Sequence, residues 1–210
     1  MLTSLLKYSL FGGPIPKIPD TFDWNHFFVE CRKEAVVALV YDALIQLPPN
    51  QQPPHEILFH FATITHTIEE DFQRFAQTTA EVQERFSDRH PECGLRPIPV
   101  VKGLRIAGLY PTPQHREFGD IDLLSGKYTD LLIDQLSEAG ITVDLSDRRH
   151  PTFQLNGVNF EAHRYLFYKP EENTFFDSIR EREGFTLELH AHFIAAHIER
   201  HAVFFDEGIK

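Results

Sequence analysis

A chain of 210 residues that is 42% hydrophobic and carries 19 Phe holds enough apolar material for one large domain or two small ones, so disorder is not the default reading. Its formal charge of −11 works against sequence-independent binding to a nucleic-acid backbone, where affinity comes from Lys and Arg replacing counterions. No apolar run reaches bilayer length, the first residues lack a basic leader and a clear cleavage site, and Cys31 and Cys93 stand in unlike contexts far apart. The expectation is a cytoplasmic chain without a membrane partner or a disulfide framework.

From Trp24 to Leu47 the apolar residues Phe28, Cys31, Ala35, Leu39 and Ala43 recur at helical spacing, which predicts one helix. The Pro-rich stretch 48–54 ends it and acts as a linker. A second long helix is predicted from His55 to Phe86, with Leu58, Phe61, Thr65, Ile68, Phe72, Phe75 and Val82 on its apolar stripe. Residues 89–99 are turn-rich. Everything up to residue 96 reads as a helical N-terminal subdomain.

The period then changes. Residues 98–101 form a short β-rich run, 102–109 a short helix, and 120–124 a second strand. Tyr128, Leu131, Leu132, Leu136 and Ala139 define an amphipathic helix stopped by Gly140, and Ile141, Val143 and Leu145 alternate as a strand. Asn156-Gly157, between alternating runs, predicts a two-residue hairpin turn that sets Leu155 opposite Val158 and Phe153 opposite Phe160 on the core side. Gln154, Asn159, Glu161 and His163 then fall on the other face. Residues 97–186 form an α/β core. A last helix is predicted over Leu187 to Phe205, within a C-terminal segment 187–210. The class is α+β, a small mixed sheet with flanking helices.

The chemistry concentrates in the core. Asp120 and Asp122 sit at i and i+2 of a strand, so both project from one face while Ile121 and Leu123 are buried on the other. Glu161 projects from the polar face of the hairpin. Three carboxylates of this kind suit Mg²⁺ or Mn²⁺, which bind oxygen donors and leave coordination positions for water or phosphate. Two such ions would clamp the attacking and leaving oxygens of an in-line displacement. Lys102, Arg105 and Arg116 are cations suited to a transferring phosphoryl group, and Gly103 at a strand-to-helix junction would let phosphate approach backbone N–H groups. A local basic site for a triphosphate is compatible with the acidic net charge.

Val101-Lys102-Gly103-Leu104-Arg105-Ile106-Ala107, then Tyr110-Pro111, Arg116 and Gly119-Asp120-Ile121-Asp122-Leu123-Leu124, resembles the uncharacterised nucleotidyltransferase family of the DNA polymerase beta-like superfamily. The resemblance continues through Val158-Asn159-Phe160-Glu161-Ala162-His163 and weakly through His197, His201 and Glu207-Gly208-Ile209, so it covers roughly the second half of the chain. It implies a small mixed β-sheet nucleotidyltransferase core with helices on one face and acids on the other. Asp120 and Asp122 would be metal ligands, and Glu161 the third carboxylate, acting as ligand or as base on the acceptor hydroxyl. Lys102, Gly103, Arg105, Arg116, Gly119 and His163 would contact substrate. Better-known members of the superfamily carry Gly-Ser or Gly-Gly where this chain has Lys102-Gly103. In the family another helix follows Gly-Ile, which implies a chain that stops short of the full protein.

The implied activity is metal-dependent transfer of a nucleoside monophosphate from an NTP to an unidentified acceptor, a small molecule or protein ahead of nucleic acid. The rival is a catalytically silent nucleotide- or protein-binding module on the same fold. His163 either orients Glu161 or contacts substrate, unless it is only a partly exposed strand histidine. His197 and His201 have the i, i+4 spacing of a zinc pair on a helix, yet no Glu follows His197 as a zincin would require, and packed or capping histidines are the preferred reading. A zinc hydrolase using His190, His197 and His201 is the weakest alternative.

Overall fold

The computed structural model describes residues 1–87, 98–165 and 173–174. The predicted helix over 187–205, with His190, His197 and His201, lies outside the described residues, as do Cys93 and Glu207-Gly208-Ile209. The class is mixed helix and sheet, α+β. Met1–Arg85, Lys102–Ile121 and Leu155–Asn159 make one compact unit, and the described residues of Phe86–Val101, Asp122–Gln154 and Phe160–Lys210 make the other.

The first unit is built on helices α1 (Leu2–Phe11), α2 (Trp24–Lys33), α3 (Val37–Leu44) and α4 (His55–Ser87). Its core joins Leu5, Phe27, Cys31, Val40, Leu44 and Phe61, with Phe28 set edge-on to Phe61 at 4.9 Å between ring centres. α1 has no counterpart in the sequence reading, because its short apolar stretch carries no capping residue that accepts from the helix. The helix expected over 24–47 is two helices. Ala35 takes the left-handed conformation (φ 52°), Ala35 N–H bonds the Arg32 carbonyl and Val36 N–H the Cys31 carbonyl. That is a Schellman ending, and Ala, the best helix former, gives no sign of it in sequence. Asp23 starts α2 by accepting from the His26 N–H at 3.0 Å. The Pro-rich linker holds only a 3₁₀ turn, Pro49–Gln51, and α4 follows the predicted stripe with Phe61, Thr65, Phe75 and Val82 buried.

A four-stranded mixed sheet runs in the order β1-β4-β3-β2, with β1 Asp120–Leu124, β2 Val143–Asp144, β3 Thr152–Leu155 and β4 Val158–His163. The run at 98–101 is not a strand of this sheet; it contributes a single antiparallel bridge from Val100 to Leu123. Pro99 removes a backbone donor from that run. The strand expected over 141–145 shortens to two residues paired with Phe153 and Thr152. α6 (Thr129–Glu138) ends where Gly140 adopts φ 76° and Ile141 N–H bonds the Leu136 carbonyl. The hairpin turn has Asn156 at φ 49° and Gly157 at φ 74°, both left-handed as a type I′ turn demands. Phe153 and Phe160 stack across the hairpin at 4.9 Å with planes 7° apart. Among the described residues, no helix is long and apolar enough to cross a membrane.

Candidate functional site

The site starts from the alternation of β1 and β4. In β1, Ile121 and Leu123 are buried, and so is Asp122, whose side chain is only 1% exposed. The strand is tied down there by the Val101 N–H, which donates to the Asp122 carbonyl at 2.9 Å. In the neighbouring strand, Phe160 and Ala162 are buried, and the odd positions Glu161 and His163 share the opposite side.

A carboxylate buried as deeply as Asp122 is costly unless a donor reaches it. His163 Nε2–H donates to Asp122 Oδ1 at 2.8 Å, and the same Nε2 lies 3.4 Å from Glu161 Oε2. A carboxylate only accepts, so the bond sets the proton on Nε2. One ligand atom from each of Asp122, Glu161 and His163 lies within 4.8 Å of the other two. The two carboxylate oxygens suit Mg²⁺ or Mn²⁺, and the ring nitrogen could join them as a ligand only by giving up its proton and with it the bond to Asp122.

His163 is fixed from behind. Its ring sits 4.4 Å from that of His150, and its carbonyl lies 3.3 Å from Ser125 Oγ, which is itself 2.7 Å from Thr129 Oγ1 in a buried hydroxyl pair. Ala162 N–H donates to the Pro151 carbonyl at 2.8 Å and Arg164 N–H to the Arg149 carbonyl at 3.0 Å, continuing the hairpin register beyond β3. His150 therefore stands opposite His163 at a non-hydrogen-bonded pair, where side chains approach closely. The sequence reading did not single out His150, although counting back from Asn156-Gly157 pairs 150 with 163. Ser125 and Thr129 carried no such signal. Arg164 is occupied by Asp130, with Nη1 2.8 Å from Oδ2.

The other expected site residues belong to the first unit. Asp120 opens β1, half-buried, and exposed Gly119 precedes it. Lys102 is half-buried, and Arg105 is exposed on the four-residue helix α5 (Leu104–Ala107). Gly103 caps α5 at φ 58°, and a Cβ there would lie 3.0 Å from the Asp120 carbonyl oxygen and 3.1 Å from Ile121 Cδ1. The glycine thus lets this turn press against the backbone at the start of β1. Arg116 donates from Nη1 to the Gly103 carbonyl at 3.3 Å and lies 5.5 Å from the centre of the Phe118 ring. So Asp122, Glu161 and His163 converge, while Lys102, Gly103, Arg105 and Arg116 cluster around α5 and the segment before β1.

No curated protein and no solved structure matches this chain. A family model described as uncharacterised nucleotidyltransferase matches residues 20–197, most of the chain. That match spans more than half of the sequence, and the chain belongs to the uncharacterised nucleotidyltransferase family.

Proposed function

We propose that this protein transfers a nucleoside monophosphate from an NTP to an acceptor hydroxyl in a reaction that depends on Mg²⁺ or Mn²⁺. The observation that carries this reading is the convergence of Asp122, Glu161 and His163 within 4.8 Å of one another. Asp122 and Glu161 would hold the ion, joined by Asp120 from the same strand as Asp122. When bound, the ion supplies positive charge to the triphosphate oxygens. Lys102, Arg105 and Arg116 neutralise the rest of that charge, and Gly103 and Gly119 leave backbone room beside the substrate. In the reaction, the acceptor oxygen forms a bond to the α-phosphorus. The bond to the β-phosphate oxygen breaks and pyrophosphate leaves. The acceptor proton passes to the Glu161 carboxylate. His163 holds Asp122 in place through Nε2.

A second reading, a binding module without catalysis, draws on the Asp122–His163 bond. Because His163 already gives the buried acid a partner, the carboxylate can persist without a metal.

Calorimetry with each NTP and Mn²⁺, together with pyrophosphate release in the presence of small-molecule or protein extracts, tests both. Metal-dependent NTP binding and pyrophosphate release, each lost in Asp122→Asn and Glu161→Gln, support the transferase. Metal-dependent binding without pyrophosphate release favours the module. No NTP binding with Mn²⁺ removes the transferase and the nucleotide-binding module alike. An acidic chain points to a small molecule or protein as acceptor, and pyrophosphate release driven only by RNA would overturn that choice.

A further inference from the structure

His115 ends the 3₁₀ turn Pro113–His115, and its side chain is 8% exposed. Its Nδ1 lies 2.9 Å from Asp42 Oδ2 on α3, and its Nε2 lies 3.0 Å from Glu69 Oε1 on α4. A neutral imidazole has one N–H and one lone pair, and a carboxylate only accepts. With both ring nitrogens facing carboxylates, only the doubly protonated ring makes both bonds. The acids flank opposite edges of the ring, so they do not converge on a point as metal ligands would.

The segment that follows is tied to the same helices. Glu117 Oε1 accepts the Val37 N–H at 3.3 Å, at the first residue of α3. The Phe118 ring packs on Phe75 at 4.9 Å and on Phe72 at 6.2 Å. Arg116 lies between these anchors and reaches the Gly103 carbonyl.

We propose that His115 is a positioning residue: as an imidazolium bonded to Asp42 and Glu69 it locks the segment carrying Arg116 onto α3 and α4, and loss of its proton at alkaline pH loosens that segment. The consequence for nucleotide affinity rests on the reading that Arg116 contacts the triphosphate; the lock itself does not.

The charged groups around His115 can be named from every element beside it. α3 contributes Asp42. α4 contributes Glu69, backed by exposed His66 at 3.9 Å from Glu69 Oε2. The neighbouring α5 carries Arg105, and the segment itself carries Arg116 and Glu117. Burial alone pulls the His115 pKa down; the hydrogen bonds to Asp42 and Glu69 and their charges outweigh it, leaving the pKa above the ordinary 6.5. Burial pushes the Glu117 carboxyl up, against the Val37 N–H bond and the charge of Arg32. For a histidine raised on folding, the stabilisation is complete below the unfolded pKa and is lost as pH rises through the folded one. A carboxyl raised on folding also gives up stability as pH rises, and Asp42→Asn, which leaves Glu117 in place, separates a loss at His115 from one at Glu117.

The test is amide-exchange protection of residues 115–118, corrected for intrinsic rates, measured in the intact protein from about pH 6 to about pH 9. The expected result is a fall of about tenfold or more across this range, the size of a lost hydrogen bond to a charged group. Asp42→Asn separates the lock from simple structural need. Its amide N–H donates to Nδ1 while a neutral ring donates Nε2–H to Glu69, so protection should persist across the range. Glu69→Gln should behave in the same way. His115→Gln should lose protection at every pH, and if it does not fold, the two amide variants still decide. Protection independent of pH in the unsubstituted protein overturns the proposal, as does an Asp42→Asn profile that still falls with pH. NTP affinity in Mn²⁺ is the second readout. If affinity falls with protection, Arg116 serves the nucleotide. If protection falls and affinity does not, the lock stands and the assignment of Arg116 fails.

Discussion

His163 Nε2 donates to Asp122 Oδ1 at 2.8 Å and thereby supplies a donor to a carboxylate that is 99% removed from solvent. Removing His163 should leave that charge buried without this donor. We expect His163→Ala to lower stability by about 1–3 kcal/mol in chelator, the cost of taking one hydrogen-bond donor from a buried charged group. Mn²⁺ should restore part of the loss if the carboxylates bind the ion, because a ligand that binds only the folded state stabilises it. Thermal denaturation with and without Mn²⁺ checks this; an unchanged melting temperature in chelator would contradict the pairing argument.

Gly103 tests the packing of the α5 turn against the start of β1. Gly103→Ala combines φ 58° with a Cβ 3.0 Å from the Asp120 carbonyl oxygen, a backbone atom that cannot swing away. The expected loss is about 1–3 kcal/mol, read from urea midpoints. A variant as stable as the parent would show that the close approach of this turn to β1 is not rigid.

Ala35 offers the opposite sign. It is exposed and holds the left-handed position of a Schellman ending at φ 52°. Glycine adopts that conformation without the side-chain clash, at an offsetting entropy cost in the unfolded chain. Ala35→Gly should therefore stabilise by about 0.5–1 kcal/mol net of the two effects. A destabilised variant in chemical denaturation would reject the assigned helix break and favour a continuous helix.

Cys31 is fully buried in the first unit's core, and burial, helped by the charge of Glu30, pushes its thiol up to about 12. The thiolate is the reactive form, so Cys31 should be inert in the native protein at pH 8. In a Cys93→Ser background, modification by an aromatic disulfide should occur at the rate of unfolding and accelerate with urea. Rapid native-state labelling would contradict the burial.

The local periods of the chain already carried a large part of the site. Alternation in 120–124 placed Asp122 between buried neighbours, and Asn156-Gly157 set the hairpin register that brings Glu161 and His163 to one side and, counted further back, His150 opposite His163. These features depend on backbone geometry within a few residues, so residue types alone determine them. The break at Ala35 was not legible, because a left-handed alanine stabilised by two backbone bonds leaves no mark in composition.

What only tertiary structure decided are the partnerships between distant residues. Asp122 and His163 meet because β4 lies beside β1, and Asp42, Glu69 and His115 meet because two helices and a turn pack together. Single-sequence periodicity reports which side of its own element a residue occupies, not which element covers that side. The acids and the hairpin were determined by the sequence; which histidine donates to Asp122, and that a buried imidazolium anchors the Arg116 segment, were decided by packing.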